Sequence, residues 1–170
     1  MKTVVKLYDG SPSSNRWQSA DDRVMGGVSV AQLRAQSDET SGFMCLGGQV
    51  SLANRGGFVQ MKWLLDEPSK PKPGVEGVFI EVRGNGEAYN LHLRTTQLWL
   101  PWQSFRYTFK TTPNWQMLYV PFVAFEAYKS SASLDPLQLR SLAVVAIGRA
   151  FAADVCVSQM GFYCGQEGQE

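Results

Sequence analysis

A chain of 170 residues that is 44% hydrophobic, with five Trp, six Tyr and nine Phe, has the material for one sizeable core and is too apolar to be disordered. Sixteen Lys and Arg against fifteen Asp and Glu leave a net charge of +1, which excludes the basic footprint of a nucleic-acid binder. No run reaches the roughly 18 apolar residues of a membrane span, so the expectation is one domain over residues 1–170, without membrane insertion.

Val4, Val5 and Leu7 form a short apolar stretch suited to an edge strand, and Lys6 and Asp9 interrupt it too early for a signal peptide. A cytoplasmic location is therefore expected. The break Gly10-Ser11-Pro12-Ser13-Ser14 leads to Trp17 and then to Asp21-Asp22-Arg23-Val24-Met25-Gly26-Gly27. Asp side chains bond backbone amides two residues on, an arginine forks onto a carboxylate, and paired glycines admit a close backbone approach. The segment reads either as a well-made turn with a satisfied ion pair or as a ligand-facing loop with Asp22 and Arg23 as binding residues.

Strands are expected over Val28 to Gln36, over Phe43 to Leu52 with a bulge or tight bend at Gly47-Gly48, and over Phe58 to Leu65. In the last of these, Val59, Met61 and Trp63 share one face while Phe58, Gln60 and Lys62 share the other. Three prolines between Glu67 and Gly74 make that segment a solvated loop.

Asn85-Gly86 is the preferred centre of a type I′ hairpin. The turn would place Val82 opposite Tyr89, Ile80 opposite Leu91 and Val78 opposite Leu93 on an aliphatic face. The other face would gather Glu81, Arg83, Asn90, His92 and Arg94, with Trp99 and Trp102 close by in sequence. This is the candidate binding surface, either a satisfied polar layer under a loop or a site whose rings stack on a sugar or receive an apolar side chain.

Phe105 to Phe109 alternates as a strand, and Trp115 to Val120 continues the pattern until Pro121 ends it. Residues 122–139 are irregular, with at most a turn of helix near Val123 to Tyr128. Leu142 to Ile147 is fit for a central strand, Ala153 to Tyr163 is the last, and the polar tail 165–170 is expected to fray. About ten short strands without a helical period define an all-β class, an antiparallel β-sandwich or jelly roll.

Catalytic chemistry finds little support. His92 is the single histidine and no G-x-S-x-G elbow surrounds a serine, so a triad is not expected. Glu81 with Asp21 or Asp22 is an unspecific glycosidase pair. No ligand spacing for zinc and no calcium loop is present, so no metal and no cofactor is expected. Cys45, Cys156 and Cys164 are odd in number and lack a CxxC pair, which reads as buried, reduced thiols.

Four separated blocks carry a family likeness. Asp22 through Ser29, Asn54-Arg55-Gly56-Gly57-Phe58-Val59-Gln60-Met61, Tyr89 through Thr95, and Trp115 through Phe125 with Arg140-Ser141-Leu142 beyond resemble, in order and spacing, the complex I intermediate-associated protein 30 family. The resemblance implies a galactose-binding-like jelly roll. It also implies a non-catalytic domain that acts as an assembly factor or chaperone-like protein for a membrane-associated complex, with a protein client as partner. No catalytic set comes with it. The matched positions Asp22, Arg23, Gly26, Gly27, Asn54, Arg55, Gly56, Gly57, Asn90 and Arg94 are expected to serve the scaffold and its face. Mitochondrial members carry a targeting segment that this N-terminus does not resemble. The alternative reading is a carbohydrate-binding module on the polar face, and a weaker one is a glycoside-active enzyme using Glu81.

Overall fold

The alternation of apolar and polar residues resolves into twelve strands among the residues described in the computed structural model, 2–39 and 41–165. They are β1 (Lys2–Tyr8), β2 (Gln18–Asp21), β3 (Gln32–Ser37), β4 (Gly42–Val50), β5 (Phe58–Leu64) and β6 (Gly77–Gly84). The chain continues with β7 (Ala88–Thr95), β8 (Ser104–Lys110), β9 (Gln116–Pro121), β10 (Glu126–Tyr128), β11 (Leu139–Ile147) and β12 (Phe151–Gly165). The tail beyond Gly165 lies outside the described residues. Sheet A runs β3-β4-β12-β6-β9, with β1 added against β12, and sheet B runs β10-β8-β7-β11-β5-β2. All pairings are antiparallel. The all-β sandwich expectation holds.

Each sheet turns one row of side chains inward. Sheet A contributes Met44, Leu46, Val78, Ile80, Val82, Val157, Met160 and Phe162, and sheet B contributes Val59, Met61, Trp63, Tyr89, Leu91, Leu93, Leu142 and Val144, all buried in one cluster. Burial of side chains of this size stabilises by roughly 1.5–3 kcal/mol each. Tyr8, Trp17 and Trp63 close one end of the core, with Trp17 and Trp63 edge to face at 5.1 Å between centroids. The faces expected for β5 are therefore correct.

The expected hairpin at Asn85-Gly86 does not form. β6 pairs with β12 and β9, whereas β7 pairs with β11 and β8, so the four residues after Val82 and Arg83 carry the chain from one sheet to the other. Gly86 has φ 88°, but Asn85 is not among the residues with positive φ, as a type I′ turn would need. Asn85 is used as a clamp instead: its Nδ2 donates to the carbonyl of Ala152 (2.9 Å), and its Oδ1 accepts from the Tyr89 hydroxyl (2.7 Å). The aliphatic rows of β6 and β7 face each other across the core rather than lying side by side.

Two smaller expectations also change. β4 runs straight through Gly47 and Gly48, which pair with Asp154 and Ala153, so no bend divides it. In residues 122–139 the helical turn allowed for is a 3-10 turn at Phe122–Ala124, but Glu126–Tyr128 forms the short edge strand β10, which was not expected.

The reduced-thiol expectation fails for Cys45 and Cys156, which are joined by a disulfide across β4 and β12, while Cys164 is free. The two cysteines are direct cross-strand neighbours although 111 residues apart in sequence. The bridge is buried on the outer side of sheet A beneath Phe43 and Trp115, with the Arg83 guanidinium 4.7 Å and 4.8 Å from those two rings.

Candidate functional site

The two glycine-rich blocks singled out in the sequence meet at one buried carboxylate. After β2, residues Asp22–Met25 make a single 3-10 turn that Gly26 ends with φ 90°. Asp22, fully buried, accepts hydrogen bonds from the Ser29 amide (2.9 Å) and hydroxyl (2.6 Å) and from the amides of Gly57 (2.5 Å) and Phe58 (3.2 Å). A Cβ at Gly27 would overlap Oδ1 of Asp22, and one at Gly56 would overlap Oδ2, so both loops can approach only as glycine. Burial alone would raise the Asp22 pKa, and the donors from Ser29, Gly57 and Phe58 outweigh it and hold the carboxyl below its usual range.

Asp21 does the parallel job one residue earlier. Its carboxylate takes a fork from Arg23 (Nε and Nη2, both 2.9 Å) and the Ala31 amide (2.7 Å), and the Arg23 hydrogen bond is the main reason its pKa is lowered. Of the two readings of residues 21–27, the well-made turn is the one the geometry supports. Asp22, Gly26, Gly27, Gly56 and Gly57 build a clasp between loops, and Asn54 sits in it with φ 56°.

The polar face proposed on a hairpin is split. Glu81 and Arg83 lie on the outer side of sheet A, and Asn90, His92 and Arg94 on the outer side of sheet B, because β6 and β7 belong to different sheets. Glu81 accepts from the Ser158 hydroxyl (2.5 Å) and Gln159 Nε2 (3.1 Å), Arg83 is stacked on the rings of Phe43 and Trp115, and the Asp21 and Asp22 carboxylates are taken up by Arg23, Ser29 and backbone amides, so the glycosidase pair has no geometry. Among the described residues no group of three or more His, Cys, Asp or Glu is placed to hold a metal ion.

What sheet B does assemble is a continuous outer row. Register places Gln18, Lys62, Ala143, His92, Arg106 and Glu126 in line across six strands. A second row reads Ala20, Gln60, Val145, Asn90 and Thr108, and two shorter ones read Leu64, Ser141 and Arg94, and Ser104 and Tyr128. Ser141, Ala143 and Val145 along β11 are small and shaded by the longer side chains of β5 and β7. A hollow of about 450 Å³ lined by Arg16, Trp17, Gln18, Leu64, Leu65 and Asp66 opens at the β2–β5 margin of this face.

Arg94 acts on its own chain. Its Nη1 donates to the carbonyls of Leu100 (3.0 Å), Pro101 (3.1 Å) and Gln103 (2.5 Å), and its Nη2 to that of Leu98 (3.2 Å). One guanidinium thus shapes the loop 98–103, and that loop holds Trp99 at 80% and Trp102 at 55% exposure. Gln103 ties the same loop to the carbonyl of Lys129, next to Tyr128. Arg94 and the two tryptophans, expected as parallel binding groups, are instead a support and what it supports.

Arg106, which the alternation of residues 105–109 could have flagged, was not among the candidates. Its guanidinium lies 3.6 Å from the Tyr128 ring centroid and its Nε donates to Ser104 Oγ (2.8 Å). Burial, with Arg106 alongside, drives the His92 pKa down to about 3, so the imidazole is neutral at pH 7, its Nε2 next to Asn90 Nδ2 at 3.3 Å.

Comparison with known proteins gives a family and a fold. The sequence model of the complex I intermediate-associated protein 30 family matches residues 7–162. No curated protein matches the sequence. A family 11 carbohydrate-binding module from Clostridium thermocellum, solved with a beta-1,3-1,4-mixed-linked tetrasaccharide, superposes with a TM-score of 0.73 at 13% identity, over 96% of this chain and 95% of that one. A family 30 carbohydrate-binding module does so with 0.63 at 15% identity, over 94% and 98%. At such identities the likeness is one of fold, a carbohydrate-binding-module jelly roll.

Proposed function

The chain belongs to the complex I intermediate-associated protein 30 family, and on that premise we propose that it is a non-catalytic binding domain acting as an assembly factor. Its client is an intermediate of a membrane-associated multisubunit complex, engaged through the margin of sheet B that carries Trp99 and Trp102. The observation that carries this reading is the loop 98–103, where four backbone carbonyls converge on Arg94 and two tryptophans stand in solvent. Aromatic side chains bury 150–250 Å² each in a contact, so covering the exposed parts of both rings removes roughly 270 Å² from water, worth about 7 kcal/mol before the cost of association. Fixing the loop beforehand lowers that cost. The Cys45–Cys156 bridge supports an oxidising compartment in place of the cytoplasm expected from the N-terminus.

A second reading is favoured by the fold likeness to a module solved with a tetrasaccharide and by the polar rows beside the tryptophans: binding of a glucan on the same face. One experiment separates the two. Tagged wild-type chain and the Trp99→Ala, Trp102→Ala double variant are purified from native cells, identified by mass spectrometry, and titrated with soluble mixed-linked β-glucan. Subunits of one membrane complex that accompany the wild type and are lost with the variant support the assembly reading. An unchanged partner list refutes it, and saturable glucan binding lost in the variant, without complex subunits, replaces it with the second.

A further inference from the structure

We propose that the outer face of sheet B is built for an acidic, extended segment of the client, with Arg106 and Lys62 as the counter-charges and the Trp99–Trp102 loop as an apolar flank. This rests on the binding-domain reading above and names the chemistry of the partner.

Charge is distributed unevenly over the molecule. The whole chain carries +1, yet the outward positions of sheet B hold Lys62, Arg94, Arg106 and Lys110 against Glu126 alone among the described residues. Five cations elsewhere are paired: Arg16 with Asp66, Arg23 with Asp21, Arg34 with Asp154, Lys70 with Glu67 and Arg149 with Glu87. Among the described residues Lys62 and Arg106 make no ion pair, and Glu126, although in register with Arg106, is not within bridging distance of it. Arg106 is half buried, with the Tyr128 ring against one side of its guanidinium and Ser104 accepting from Nε. A guanidinium taken partly out of water without an anion is costly, and a carboxylate delivered by a ligand removes that cost.

The shape of the row agrees. Ala143 stands between Lys62 and His92, which are two strand spacings or about 10 Å apart, and Arg106 follows one strand beyond the histidine, so an extended ligand over the alanine meets a cation at each end of this stretch of the row. His92 is neutral and offers hydrogen bonding rather than charge. A polypeptide that mixes acidic and apolar residues matches this face and the exposed tryptophans together, which a uniformly acidic polysaccharide does not.

The test is fluorescence anisotropy with three probes: a labelled peptide repeating Glu-Leu-Glu-Gly, its Gln-Leu-Gln-Gly counterpart, and labelled polygalacturonate. The acidic peptide binds the wild type, loses affinity as salt rises towards about 0.15 M, and binds Lys62→Gln, Arg106→Gln about tenfold or more weakly. The control Lys6→Gln, Lys72→Gln, with the same charge removed from sheet A and the Pro-rich loop, leaves binding unchanged. Unfolding midpoints of both variants within a degree or so of wild type confirm folded protein. Equal binding of the glutamine peptide, or equal loss in both double variants, overturns the proposal, as does polygalacturonate binding where the acidic peptide fails. If complex subunits still co-purify through the tryptophans while no acidic peptide binds, this inference falls and the assembly reading stands. Loss of both removes both.

Discussion

Lowering the pH from 7.5 to 5 should cost this protein about 2 kcal/mol of stability, and one side chain should account for nearly all of it. His92 is 9% exposed, and burial beside the Arg106 guanidinium takes its pKa from 6.5 down to about 3. A folded pKa below the unfolded one means that the unfolded chain binds the proton first, so the stabilisation is complete well above pH 6.5 and is lost as pH falls from there towards 3. At pH 5 the loss from this single site is 2.303RT·log(1 + 10^1.5), or about 2 kcal/mol, and it reaches about 4 kcal/mol at pH 3. The lowered carboxylates Asp21 and Asp22 act in the same direction, but they start from 3.8 in the unfolded chain and each contributes less than about 0.1 kcal/mol by pH 5. The window between pH 7.5 and 5 therefore isolates the histidine. Urea titrations at both pH values, on wild type and His92→Gln, measure it. The variant should lose less than about 0.5 kcal/mol over that window. Equal losses in the two proteins would show that His92 is protonated in the folded state and that Arg106 and its surroundings do not hold it neutral.

Asp22→Asn should destabilise by about 3–5 kcal/mol, because an amide nitrogen then faces donors from Ser29, Gly57 and Phe58 that have lost their acceptor. Combined with Gly27→Ala, the loss should fall well short of the sum, since both changes open the same clasp; additive urea midpoints would refute the shared origin. Breaking the Cys45–Cys156 bridge by reduction or by Cys45→Ala, Cys156→Ala should cost about 2–5 kcal/mol, set by a loop of 111 residues. Alkylation of denatured, unreduced protein from native cells should label Cys164 alone; labelling at all three cysteines would place the protein in a reducing compartment.

Strand identity was legible where alternation was clean. Val59, Met61 and Trp63 separate from Gln60 and Lys62 because β5 is buried on one side only. The hairpin was misread because Asn85-Gly86 reports only on local dihedral preference, while the pairing of β6 is decided by β12 and β9, far away in sequence. Alternation in β6 and β7 is satisfied equally by two strands side by side and by two strands facing across a core. Glu81 and Arg83 were for that reason grouped with Asn90, His92 and Arg94, from which the core divides them. The clasp was half legible: its glycines and aspartates stood out as blocks, but not that Gly56 and Gly57 close on Asp22. A disulfide between Cys45 and Cys156 leaves no spacing signature at all when its partners meet only through sheet pairing. Lys62 and Arg106 became visible as a set only once register put them in one row.

β12 has a consequence for how the chain is made. Its fifteen residues pair with β1, β4 and β6, so half of the sandwich has no centre until a ribosome has passed residue 150. Strands emerging earlier in translation must wait with their apolar edges uncovered, a state that invites chaperone capture and works against stepwise folding strand by strand.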